Sequence, residues 1–202
     1  MPKQEEILSQ LLINEYGECS FKKLSYFDFS NSKFHNEITK VYKKLNGQLE
    51  MYPVAFRGFD IQLSNCIVEL DEEQHFNRYR ALTLDSSMYK KINSFSTADY
   101  ISYCNNFENL CLKKGYNRKY WKSNSTEIQF GKSSSDGTLT GNGSSRWRQR
   151  AFYDFLRDAG QRIGNYKLIR ISVHQFIDDK KVGEILNKNL TKYYPKLISL
   201  IK

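Results

Sequence analysis

The chain has 202 residues, 40% of them hydrophobic and 14% aromatic, which suits one domain of moderate size and excludes wholesale disorder. It has no run of about 18 apolar residues, so no membrane-spanning helix is expected, and the early charges of MPKQEEILSQLL do not read as a signal peptide; a cytoplasmic protein without a membrane partner is expected. Against 22 Asp and Glu stand 31 Lys and Arg, a formal charge of +9 that suits a polyanion such as nucleic acid, and equally a generic basic protein.

Residues 4–16 read as a helix, with Ile7, Leu8, Leu11, Leu12 and Tyr16 as its apolar stripe and Gly17 as its stop. A second helix is expected over 33–45, where Phe34, Ile38, Val41, Tyr42 and Leu45 recur at helical spacing; Asn31 or Ser32 can cap it and Gly47 can end it. LEMYPVAFRGFDIQL, the dipeptide Ser64-Asn65 and CIVELD then read as strand, tight turn and strand. Residues 82–145 form a long irregular stretch with one helix near 97–113, closing on the flexible Gly/Ser loop GKSSSDGTLTGNGSS. Helical periodicity returns over 146–159, KLIRISVHQF is a strand, and 179–201 is amphipathic helix. The order implies an α/β sandwich, helices flanking a small central sheet. Cys19, Cys66, Cys104 and Cys111 are irregularly spaced and lack a following His pair, so thiols rather than a zinc site are expected.

The hairpin gathers acids. With Ser64-Asn65 as a two-residue turn, Ile61 faces Val68, Gln62 faces Ile67 and Asp60 faces Glu69. Side chains alternate between sheet faces. One face then collects Phe59, Ile61, Leu63, Cys66, Val68 and Leu70. The other collects Asp60, Gln62, Ile67, Glu69 and Asp71. Directly opposed Cβ atoms lie about 4.5–5.5 Å apart, and like charges there are destabilising. A bound hard cation such as Mg²⁺ would explain the crowding; a solvated sheet face would equally explain the alternation.

The pattern F-D-I-Q-L, turn, I-V-E-L-D-x-x-Q-H resembles the core of PD-(D/E)XK nucleases, in particular the very-short-patch-repair-like endonuclease branch. RQRAFYDFLRDAG followed by KLIRISV is similar to the helix, Gly and strand that follow in that family, and Gln149 and Tyr153 fit a Q-x-x-x-Y spacing seen in some members. The resemblance covers about 33–80 and 146–176. It implies a restriction-endonuclease-like fold, a small mixed central sheet flanked by helices, in one domain over 1–202 with 82–145 as a recognition insertion. It also implies an Mg²⁺- or Mn²⁺-dependent endonuclease with Asp60, Glu69 and Asp71 as metal ligands, His75 as general base or leaving-group partner, Gln74 assisting, and Glu37 completing the cluster from the preceding helix. Asp71 stands where the motif usually has Lys, a residue that helps orient the attacking water.

Arg146, Arg148 and Arg150, at the start of a helix, are candidate phosphate contacts. Lys113, Lys114, Arg118, Lys119, Tyr120 and Trp121 interleave base and aromatic as single-strand binders do. The expected partner is double-stranded DNA, with RNA as the alternative and a homodimer left open. Small size and the insertion favour restriction or defence over repair.

Overall fold

The computed structural model describes residues 4–55, 58–92, 94–115, 121–135 and 137–201. In chain order the elements are α1 (Gln4–Tyr16), α2 (Tyr26–Ser30), α3 (His35–Lys44), β1 (Ile61–Gln62), β2 (Ile67–Asp71), α4 (Arg78–Leu84), α5 (Thr97–Gly115), α6 (Asn124–Phe130) and α7 (Ser145–Ile163). They continue with β3 (Leu168–Ser172), β4 (Phe176–Ile177), β5 (Lys180–Lys181), α8 (Val182–Asn187) and α9 (Tyr194–Ser199). This is a mixed α/β architecture of small sheets and flanking helices. Two compact units share the described residues: a sheet unit (4–23, 58–72 and 166–201) and a helical unit made of the described residues between 24 and 55 and between 73 and 165.

In the sheet unit, the strand order is β1-β2-β3. β1 and β2 pair antiparallel, Ile61 with Val68 and Gln62 with Ile67, which is the register expected from a Ser64-Asn65 turn. The Leu63 N–H closes that turn on the Cys66 carbonyl at 2.8 Å. β3 lies parallel to β2, Ile67 opposite Leu168 through to Asp71 opposite Ser172. β2 is therefore central, and all five of its residues are buried. Strands buried on both faces lose the polar-out alternation of a half-exposed sheet. α1 packs on α8 and α9, and α8 on β3. Gly183 permits the last contact, since a Cβ there would lie 3.1 Å from Val173 Cβ.

Gly17, at φ +74°, ends α1 as expected. The C-terminal segment departs from the expected single helix. It begins as a β4-β5 hairpin and then breaks into α8, a 3₁₀ turn at Thr191–Tyr193 and α9. Asp178 and Asn189 adopt positive φ at the two reversals, and Pro195 can occupy only the first turn of α9.

The helical unit packs around α7, whose Trp147, Ala151, Phe152, Phe155, Leu156 and Ala159 are each at most 2% exposed. Tyr42 of α3 meets Phe152 at 5.0 Å between ring centroids and Phe130 of α6 at 5.3 Å. Fully burying such a side chain contributes about 1.5–3 kcal/mol. Two details differ from the sequence expectation. α3 has no side-chain cap; Ser32 instead accepts the Phe34 N–H, one residue before the helix. The stretch 82–145 is more helical than expected, with α6 added to α5 and a capping box at Ser123 and Thr126. The described residues of its Gly/Ser loop are tied down rather than loose. Asn142 Nδ2 donates to the Lys132 carbonyl, Ser134 N–H to Gly143 O, and Gly143 turns at φ +57°. Among the described residues, no helix is long and apolar enough to cross a membrane.

Candidate functional site

The hairpin register brings Asp60, Glu69 and Asp71 to one face of the sheet unit. The backbone N–H of Asp60 donates to Glu69 Oε1 at 3.3 Å, and the N–H of Leu70 donates to Asp60 Oδ2 at 3.0 Å. The Asp60 and Glu69 carboxylates are thereby each fixed by backbone across the hairpin. Glu69 is 2% exposed and Asp71 1%, while Asp60 is half-buried. The solvated-face explanation fails, because Glu69 and Asp71 on that face are buried. Burying carboxylates is costly unless they are hydrogen-bonded and paired.

Arg170 supplies one such pair, and sequence reasoning missed it. It lies opposite Glu69 in the parallel register, so it shares the acids' face. Its Nη1 donates to Asp71 Oδ1 at 2.7 Å and Oδ2 at 3.0 Å, with its side chain fully buried. A signal was present: an Arg within the apolar run of LIRIS requires an internal acid. Three carboxylates offer the hard oxygen donors that Mg²⁺ or Mn²⁺ takes. The donor set fits such an ion best through Asp60 and Glu69, because both oxygens of Asp71 already meet a guanidinium.

Gln74 and His75 fall in the helical unit, in a 3₁₀ turn at Glu73–His75. His75 Nδ1 lies 2.8 Å from Asp154 Oδ2, and Arg150 Nη1 lies 3.0 Å from His75 Nε2. Arginine can only donate. Nε2 is therefore the acceptor and Nδ1 the donor to Asp154. The lone pair that a general base would use is engaged by Arg150. The Gln74 backbone carbonyl accepts from the Asn77 amide and the Cys111 thiol, both at 3.5 Å.

Glu37, expected to complete the acidic cluster, lies in the helical unit, where its Oε1 accepts from the Ser86 hydroxyl at 2.6 Å and the Ser87 N–H at 3.2 Å. The Ser86 bond is the largest influence holding its carboxyl below the ordinary 4.5. The resulting stabilisation is complete above that ordinary value and disappears as pH falls through the lower folded value. Ser86→Ala should thus be less stable than the native chain near neutrality, with the difference narrowing in acid to the share lost with the Ser86 cap on the Met88 N–H. Urea midpoints measured across that range would refute the coupling by showing a pH-independent gap.

Two expected nucleic-acid contacts are corrected. Trp121 is 2% exposed and packs on Trp147 at 4.2 Å between ring centroids, so it is core and unavailable to stack on a base. Arg148 is 9% exposed; its Nε donates to the Asn142 carbonyl at 2.8 Å and its guanidinium lies 4.6 Å from the Tyr79 ring centre. Helical periodicity turns both Trp147 and Arg148 inward. Arg146 and Arg150 are half-buried, and Lys113 and Lys114 are exposed, Lys114 lying 3.9 Å from Glu73. Arg118, Lys119 and Tyr120 lie outside the described residues. Cys66, Cys104 and Cys111 are buried and Cys19 is exposed, and none of the four is in a disulfide. Burial pushes the Cys111 thiol up to about 12, which keeps it protonated near neutrality.

A family described only as one of unknown function, DUF7255, matches residues 40–191, which include the hairpin, His75, α7 and β3. No curated protein and no solved structure matches the chain. With most of its length matched, the chain belongs to the DUF7255 family.

Proposed function

We propose that this chain is a metal-dependent endonuclease of the PD-(D/E)XK type, hydrolysing phosphodiester bonds in double-stranded DNA. One observation carries the reading. Asp60, Glu69 and Asp71 share a sheet face, with two of them buried and one of those held by a buried arginine. The mixed sheet, an antiparallel hairpin extended by a parallel third strand after a long connection, supports a restriction-endonuclease-like fold. Bound Mg²⁺ or Mn²⁺ would lower the pKa of a water and offset charge on the phosphodiester. Asp60 and Glu69 would hold the ion, fixed as they are by backbone bonds across the hairpin. Asp71 occupies the position of the motif Lys, and Arg170 restores a cation to that face from the neighbouring strand. A restriction or defence role, or a repair role, follows from the same chemistry.

A plasmid-nicking assay with Mg²⁺ tests this. Asp60→Ala and Glu69→Gln should each lose at least about 100-fold in rate, more than the loss of an outer partner usually costs. Nicking unchanged in both variants would exclude the site. The Asp71–Arg170 pair favours a second reading, a DNA-binding module without cleavage, because a carboxylate bound to guanidinium through both oxygens is a poorer metal ligand. Duplex binding without nicking by the native chain would establish that reading, and faster cleavage of RNA would move the substrate.

A further inference from the structure

α7 buries both of its acids and, of its arginines, only Arg148. It carries two acids, Asp154 and Asp158, at 1% and 0% exposure. Asp154 meets His75 and Arg157, and Asp158 meets Arg80 and Tyr89. Arg146, Arg150, Tyr153, Arg157 and Gln161 are the half-buried residues that recur along one stripe of the helix, while the residues between them up to Gly160 are buried. At 3.6 residues per turn these five positions fall within about 80° of one another. The stripe therefore carries three arginines and no acid, with the Arg157 side chain 14% exposed and paired to the buried Asp154. Arg162, exposed, lies on another face.

From this segregation we infer that the α7 stripe of Arg146, Arg150 and Arg157 is a binding track for the sugar–phosphate backbone of duplex DNA. The proposal rests on charge and spacing. Arg146 to Arg157 covers about 16 Å of helix axis at 1.5 Å per residue. A DNA strand rises about 3.4 Å per phosphate, so each arginine can meet a different one. A guanidinium carries five N–H donors in a planar fork, which matches phosphate oxygens. The three are also pre-placed. Arg146 donates to Gln149 Oε1, Arg150 to His75, and Arg157 lies 3.5 Å from Asp154. Ordering a side chain before binding lowers the entropy cost of contact. Tyr153, set between Arg150 and Arg157 and 3.5 Å from the Gln149 amide, adds a phenolic donor to the same stripe. Sequence reasoning placed the contacts at Arg146, Arg148 and Arg150; the helix turns Arg148 inward and brings Arg157 into line instead.

The inference deepens the nuclease reading by placing a substrate contact, yet it can be tested apart from cleavage. Fluorescence anisotropy of a labelled DNA duplex of about 20 base pairs, titrated with the full chain in EDTA at several salt concentrations, gives the slope of log affinity against log salt. Each of Arg146→Gln, Arg150→Gln and Arg157→Gln should weaken binding and reduce that slope by about one. Lys at the same positions should restore most of the slope, which a folding defect would not do. Arg162→Gln removes a charge from the same helix off the stripe and should leave the slope unchanged. The track is refuted if the native chain does not bind the duplex, if the three slopes stay native, or if Arg162→Gln lowers the slope as much. Tighter binding of an RNA duplex would overturn the DNA assignment. Reduced slopes in a chain that never nicks would support the track while removing the nuclease reading.

Discussion

Asp158→Ala is expected to destabilise the protein by about 3–5 kcal/mol. Asp158 is fully buried in α7 and accepts from Arg80 Nη2 at 2.8 Å and the Tyr89 hydroxyl at 2.6 Å. Arg80 is equally enclosed, 1% exposed, with its Nη1 donating to Thr83 Oγ1 and to Tyr89, and its guanidinium 5.9–6.0 Å from the ring centres of Phe95 and Tyr89. The network joins α4, the 3₁₀ turn at Ser87–Lys91 and α7, so it fixes the centre of the helical unit. Removing the carboxylate leaves a cation in a site built to offset it. Arginine cannot shed its proton to escape, which makes the loss larger than for a lysine in the same place. For a chain of this size the loss corresponds to a fall in Tm of about 6–20 °C. Thermal and urea unfolding of the single variant and of Arg80→Met/Asp158→Leu should show the double variant recovering most of the stability. A single variant within about 1 kcal/mol of native would show that the pair contributes little.

What could be read from the sequence was whatever local geometry determines. The α1 stripe ends at Gly17, a residue suited to the positive φ found there. The hairpin was legible because a two-residue turn and a side-chain period of two leave one register that buries the apolar set, and that register placed three acids together. α7 was legible from its period, but the depth of each arginine on it was not. KKGYNRKYWK reads as basic and polar, and only tertiary packing puts Trp121 against Trp147. α4 and α6 are each seven residues long, too short to carry a clear helical period, and they depend on Asn77 and Ser123 as caps. Glu37 is expected in the cluster because it lies on the helix preceding the hairpin; its bond to Ser86 was not legible, since Ser86 is fixed by a turn that no periodicity announces. Arg170 was hidden for a different reason. Parallel pairing of β3 with β2 joins residues about a hundred positions apart, and its register follows from no nearby turn.

That register gives the second large effect. Arg170→Met should destabilise the sheet unit by about 3–5 kcal/mol, since it removes a guanidinium that meets both oxygens of a carboxylate 1% exposed. Asp71→Asn, which keeps the shape of the acid and lowers its charge, should be expensive too, because it strands the arginine instead. The combination Arg170→Met/Asp71→Leu removes both charges and should be more stable than either single variant. Stability alone does not separate a structural pair from one that positions the proposed site. Arg170→Lys makes the separation. Lysine keeps the cation as a point charge but lacks the planar fork that fixes both oxygens of Asp71. If Asp71 must be oriented for the chemistry, Arg170→Lys should retain more stability than Arg170→Met while still losing nicking rate at saturating DNA, with duplex affinity close to native. If the pair only holds the sheet together, nicking should follow the folded fraction, and Arg170→Lys should nick at the native rate wherever it is folded.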